Sequence, residues 1–244
     1  MKAAISVCMP YWNRPDELAR SLASYAKCYP DLDIEFSICD DGSERPGKWP
    51  RNCKLTKLPP KTVALNPCVP INRAVRAATR DVIVLTNPEI EHREPVLYAM
   101  LEALQTPNDY VMTGARNAPY QYRRGLTLKE SPGEWIAGPD APRAPVGGRK
   151  PIPPGAHLHF CVMFHRELFE RAGGFDEAYR NGAGCDDNDW LWRLHALGDV
   201  NFKYVPGAVW HYVTRHGWKG KPGVNYELLD QRWGHLPEYQ QCAS

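Results

Sequence analysis

No apolar stretch of this 244-residue chain approaches the roughly 18–20 residues that a membrane-spanning helix needs, and no charged-then-apolar leader opens it. Cysteine pairing is also missing. The 8 cysteines, at 8, 28, 39, 53, 68, 161, 185 and 242, include no CxxC pair and no close Cys/His cluster of structural-zinc spacing. Cys8, Cys39 and Cys161 sit inside apolar runs, as small core residues in a reducing compartment do. A surplus of one charge is absent too: 30 basic against 28 acidic residues leave a net +2, which argues neither for a nucleic-acid coat nor for an acidic tail. There is no internal repeat, low-complexity tract or Ser-rich linker. These absences predict a soluble, cytoplasmic chain that folds as a single α/β domain.

What the chain does have is a series of short apolar runs that end in polar turns. Residues 3–9 read as a buried parallel strand, bounded by the rigid loop Pro10-Tyr11-Trp12-Asn13-Arg14-Pro15. Asp16 is placed to cap a helix carrying Leu18, Leu22 and Tyr25. A second strand, 34–39, ends in Asp40-Asp41-Gly42-Ser43, which completes a right-handed βαβ unit. Ligands of open α/β sheets bind beyond the carboxyl ends of the strands, so the 10–14 loop and the Asp-Asp-Gly-Ser turn should share one crevice. Read alone, that turn is also ordinary loop chemistry.

A helix from about Ile71 follows a Pro/Lys-rich connection, and its Arg73 and Arg76 suit either a diphosphate or a solvated face. Residues 81–86 form a strong buried strand ending in Asn87-Pro88-Glu89. Residues 95–104 read as a surface helix and 110–114 as another strand. From 117 to 155 the chain is rich in Pro, Gly and basic residues (Arg123, Arg124, Lys129, Arg143, Arg149, Lys150). A loop of that length serves either as a flap over a binding site or as a surface insertion. Its Tyr120, Tyr122 and Trp135 could stack on a sugar or base, or anchor the loop. Later come an alternating edge-type strand, 200–205, and a run at 208–212 ending near His211.

The sharpest local feature is Asp186-Asp187-Asn188-Asp189-Trp190-Leu191-Trp192-Arg193. Acidic residues start a helix well, here from about Asp187 to Leu197. Three crowded carboxylates repel one another, however, which also marks a site for general-base work. Before it lie an apolar strand at 159–164, a short helix at 165–172, then Gly173-Gly174-Phe175-Asp176-Glu177 and a glycine-rich loop.

That order of elements resembles the family-two nucleotide-sugar glycosyltransferases of the GT-A fold. The resemblance implies a Rossmann-like, mixed but mostly parallel sheet flanked by helices. It assigns the catalytic base to Asp187, from its spacing to Asp189 and Arg193. Asp186, Asp189 and Trp190 fall on the acceptor side, and a sugar face could stack on Trp190 or Trp192. The first-strand Pro-Tyr-x-Asn-Arg and the second-strand Asp-Asp-Gly-Ser are similar to the family's nucleotide pocket. This implies donor contacts from Pro10, Tyr11, Asn13, Arg14, and Asp40 or Asp41, joined by Asn72, Arg73 and Asn87. Where many GT-A enzymes place Asp-x-Asp, this chain has Asn-Pro-Glu, close to the Asn-Pro-Asp variant of rhamnosyl- and galactosyltransferase-like members. The resemblance thus implies a divalent cation, Mn²⁺ or Mg²⁺, at Glu89, with His211 as a further ligand and His216 in reserve.

The expected activity is inverting hexosyl transfer from a nucleotide-diphosphate sugar to a hydroxyl acceptor such as a glycan. Residues 1–115 would form the nucleotide half and 156–244 the acceptor and catalytic half. Two alternatives remain open: glycosylation of hydroxymethylated bases in DNA, and a non-catalytic nucleotide-sugar binding module.

Overall fold

A computed structural model describes residues 3–63, 66–118, 133–138, 151–158, 160–212 and 223–243. Its framework is a nine-stranded sheet in the order β3-β2-β1-β4-β8-β6-β9-β5, with β7 paired to β6. These strands are β1 (Ala4–Tyr11), β2 (Asp33–Asp40), β3 (Cys53–Lys57), β4 (Val82–Thr86), β5 (Ile90–Glu91), β6 (Asp109–Asn117), β7 (Trp135–Ala137), β8 (Cys161–His165) and β9 (Asn201–His211). β3, β2, β1, β4, β6 and β9 run in one direction, while β8 runs against both of its neighbours. The sheet is therefore mixed but mostly parallel, as the resemblance implied.

Alternation within the strands divides the core in two. Along β1, Ile5, Val7, Met9 and Tyr11 face one way and pack with Leu18 and Tyr25 of α1 (Pro15–Cys28) and with Leu97 and Met100 of α3 (Val96–Ala103). Cys8 faces the other side. There it packs beneath α2 (Cys68–Ala77), α4 (Arg166–Arg171) and α5 (Asp186–Ala196), with contributions from α6 (Val224–Trp233) and α7 (Pro237–Ala243). Period-two residues on a sheet that is buried on both faces leave little room for polar side chains. Ser6 and Glu35 are exceptions, and they hydrogen-bond each other at 2.7 Å.

Several boundaries differ from the sequence reading. Pro10 and Tyr11 continue β1 instead of starting a loop. The ladder to β4 ends at the Cys8↔Leu85 pair while that to β2 runs on to Tyr11↔Asp40, so Pro10 falls where one side of the strand has no further partner to lose. Helix α1 begins at Pro15 with Arg14 at its N-cap, so Asp16 sits in the first turn and is not the cap. Helix α2 begins at Cys68, before Ile71, and carries Pro70 in its first turn, where a missing N–H costs nothing. The connection before it contains β3, whose mixed burial shows no apolar run. The 200–205 and 208–212 segments form one strand, β9, with a register shift opposite Thr113/Gly114.

Of the 117–155 stretch, residues 117–118, 133–138 and 151–155 are among those described. They include β7, and Trp135 lies under the Arg116 guanidinium at 4.1 Å, as an anchor. Pro151 O accepts from Asn188 Nδ2 (3.1 Å) and Trp192 Nε1 (3.0 Å), tying down the far end. Tyr120, Tyr122, the six basic residues named above and His216 lie outside the described residues. All eight cysteines are free thiols. Among the described residues no helix is long and apolar enough to cross a membrane.

Candidate active site

The carboxyl ends of β1, β2 and β4 and the start of α5 meet around one cavity of about 300 Å³. β1 and the chain after it contribute Pro10, Tyr11, Trp12 and Arg14; β2 contributes Asp41; β4 contributes Leu85, Thr86 and the Asn87-Pro88-Glu89 turn. Pro67, Pro70 and Ile71 close it on the α2 side, and Gly184, Asp186 and Asp187 close it at α5. Such a crevice arises because parallel strands end together and their connecting loops diverge.

The first loop is held by its own side chains. Asn13 takes a left-handed conformation (φ 54°), and its Oδ1 accepts from Arg45 N at 2.8 Å while its N–H donates to Ser43 Oγ at 3.0 Å. Asn13 therefore shapes the loop and does not line the cavity. Tyr11 does line it, but its hydroxyl donates to Arg45 O at 2.6 Å and its ring meets Trp49 edge-on at 5.0 Å. Burial pushes the Tyr11 phenol up to about 12, so it stays a donor. Trp12, which sequence reasoning did not single out, also lines the cavity, and its buried Nε1 has no hydrogen-bond partner among the described residues.

The two aspartates that spacing could not separate have different surroundings. Asp40 Oδ1 accepts from Ser43 N at 3.0 Å and closes the turn. Asp41 lines the cavity and is paired with Lys61. Burial lifts the Asp41 carboxyl above its ordinary range, against the pull of Lys61. Neither α2 residue faces the cavity. Asn72 is buried, donating to Phe175 O (2.8 Å) and Glu177 Oε1 (3.0 Å) and accepting from Phe175 N (2.9 Å), which ties α2 to the segment after α4. Arg73 points to solvent.

Glu89 and His211 do come together, with Nε2 3.7 Å from Oε1. The other Glu89 oxygen is held in an ion pair by Arg14. Burial alone would raise the Glu89 carboxyl, but Arg14 and His211 outweigh it and hold the group well below the usual carboxylate range. A divalent cation needs several hard oxygen ligands. No cluster of three His, Cys, Asp or Glu exists among the described residues, and a permanent cation already occupies the carboxylate. The donor set among the described residues does not fit a metal.

Helix α5 carries its acidic residues in two directions. Cys185, at its N-cap, is left-handed (φ 67°) and turns the chain so that Asp186 and Asp187 reach the cavity. Asn66 Nδ2 holds this turn by donating to Asp186 Oδ1 (2.8 Å) and Gly184 O (3.1 Å), and Asn225 Nδ2 donates to Gly184 O at 2.6 Å. Asp189 points away. Its Oδ1 accepts from Trp233 Nε1 (2.9 Å), Arg232 Nη1 (3.2 Å) and Tyr179 OH (3.2 Å), fastening α6 to α5. Trp190 is fully buried, stacked on Phe175 at 4.9 Å and donating to Tyr110 OH at 3.2 Å. Trp192 is equally buried against Tyr239 and Trp233. Neither tryptophan can stack on a sugar.

No curated protein matches the chain. Among solved structures it is similar to the crystal structure of S. aureus TarS 1-349, at 13% identity and a TM-score of 0.59, over 100% of this chain and 69% of that one. At that identity the likeness shows a shared fold. The model of the family described as "Glycosyl transferase family 2" matches residues 6–173, a span that runs from β1 through α4 and ends before α5. With its mixed, mostly parallel sheet and a family match over more than half of its length, the chain belongs to glycosyl transferase family 2 and has the family's GT-A fold.

Proposed function

We propose that this glycosyltransferase moves a hexose from a nucleotide-diphosphate sugar to an acceptor hydroxyl with inversion, using Asp187 as general base. The observation that carries this reading is that Asp187 shares one cavity with the ends of β1, β2 and β4. The acceptor oxygen attacks the anomeric carbon as the bond from that carbon to the diphosphate oxygen breaks. The acceptor proton passes to the Asp187 carboxylate, and the nucleoside diphosphate leaves with the bonding electrons. Attack from the face opposite the leaving group inverts the anomeric centre.

Within the donor half, residues 1–115, Trp12 offers a flat ring and an indole donor for a base or ribose. Asp41 supplies an acceptor, and Asn87, which lines the same cavity, meets a sugar or ribose hydroxyl. Asp186 joins Asp187 on the acceptor side, in the half formed by residues 156–244. Asn13 and Asp40 support this site by shaping its loops; Asn72, Asp189 and Trp190 support it only through the core.

The test is transfer with a panel of nucleotide sugars, after thermal-shift screening identifies which nucleoside diphosphates stabilise the protein. Stabilisation by one of them, with turnover that the Asp187→Asn variant loses, supports the reading. Stabilisation without turnover for any sugar and acceptor would make the chain a binding module.

A further inference from the structure

The cavity assigned to the donor is walled by the carboxylates of Asp41, Glu89, Asp186 and Asp187. A diphosphate carries negative charge into this wall, so something positive has to face it. Lys61 neutralises Asp41 from behind. Among the described residues that line the cavity, Arg14 is the one basic side chain, and it is paired with Glu89.

The same pair occupies the place where a metal would have been expected. One Glu89 oxygen meets Arg14 and the other faces His211, and Asn87 offers a neutral amide where an acidic ligand would be needed. A divalent ion at Glu89 would have to displace a guanidinium or sit against it, with like charges in a largely buried site. A planar guanidinium, by contrast, presents a fork of N–H donors that can serve a carboxylate and a phosphate together. Its position is set by the chain, because Arg14 directly follows the turn that Asn13 fixes through Arg45 and Ser43.

We propose that Arg14, held in place by Glu89, is the cation that meets the donor's diphosphate, and that this chain binds nucleoside diphosphates without a divalent metal. The inference rests on the nucleotide-sugar reading of the cavity and deepens it.

The experiment is calorimetric titration of the wild-type protein with UDP, GDP, ADP, CDP and dTDP, each in EDTA and in Mn²⁺. Loss of the free Mn²⁺ electron-spin signal on adding protein is followed in parallel. The expected result is binding of at least one diphosphate with an affinity that EDTA and Mn²⁺ leave unchanged, and no uptake of Mn²⁺ by the protein alone. Arg14→Ala should weaken that diphosphate by about tenfold or more, the scale of a charge-assisted hydrogen bond, and leave the corresponding nucleoside unaffected. Binding that appears only with Mn²⁺ would overturn the inference while leaving the donor reading intact. Metal-free binding that Arg14→Ala does not weaken would overturn it as well. If none of the five binds under either condition to folded protein, the donor reading fails and takes the inference with it.

Discussion

Asn66 and Asp186, far apart in sequence, are joined by a 2.8 Å hydrogen bond from the Asn66 amide to the Asp186 carboxylate, and the same amide reaches Gly184 O at 3.1 Å. This clamp lies just before α2 and holds the glycine loop at the exact point where it delivers two carboxylates to the cavity. Asn66 itself does not line the cavity, so it acts through the residues it holds. Replacing it with Ala should cost about 1–3 kcal/mol of stability, the scale of a lost buried hydrogen bond to a charged group. Denaturant melts check that figure. In kinetics the same variant should lower kcat while leaving nucleotide affinity close to wild type.

Asp187→Asn keeps the size of the side chain but removes its basicity. Turnover should fall by at least about a hundredfold with donor binding and melting temperature little changed, since a placed base is typically worth ~10² to 10⁴ in rate. Near-normal turnover would remove Asp187 from the role.

Asp189, two residues on, should behave in the opposite way. It is 1% exposed and ties Arg232, Trp233 and Tyr179 together. Asp189→Ala should cost roughly 2–4 kcal/mol, less than the ~3–5 of breaking a fully buried pair, because Arg232 keeps Asp176 and some water. Limited proteolysis should show the 223–243 segment released first. A fully stable Asp189→Ala protein would contradict this account.

Gly182 stands where an added Cβ would run into Asn225 Oδ1. Gly182→Ala should therefore loosen the Asn225 hold on Gly184 and lower both stability and kcat. Gly198, which has open space around it but a positive φ of 78°, should show only the smaller backbone cost on substitution by Ala.

His92 predicts a pH dependence. It is buried against Tyr29, with Nδ1 2.6 Å from the tyrosine oxygen, and burial pushes its pKa down to about 3. The unfolded state, with an ordinary histidine near 6.5, binds the proton first as pH falls, so this contribution is complete above about 6.5 and shrinks toward pH 3. Between pH 6.5 and 5, above the range where unfolded carboxylates titrate, His92 should account for a loss of about 2 kcal/mol. Urea melts of wild type and His92→Gln across that window check it, and an unchanged slope in the variant would refute the assignment.

Much of the fold was legible because burial on both faces leaves a strong signature. The runs at 3–9, 34–39 and 81–86 are β1, β2 and β4 within a residue or two, and the acidic start of α5 is where spacing put it. β3 was not legible, since Cys53–Lys57 lies at the sheet margin and carries no continuous apolar run. Trp12 was passed over because one aromatic in a loop has no periodic signal. It stands out only once its indole is seen lining the strand-end cavity.

The sequence by itself determined the sheet, the family and the cluster of acidic residues at 186–189, because these depend on local pattern and on the order of motifs. Only the tertiary structure decided which of those residues face the cavity. Neighbouring positions on one helix turn point different ways, so α6 claims Asp189 and the core claims Trp190, while Asn66 holds Asp186 at the cavity. The partner of Glu89 was likewise a tertiary matter. Its carboxylate sits at the end of β4, and only the folding of β1 beside β4 brings the Arg14 guanidinium to it.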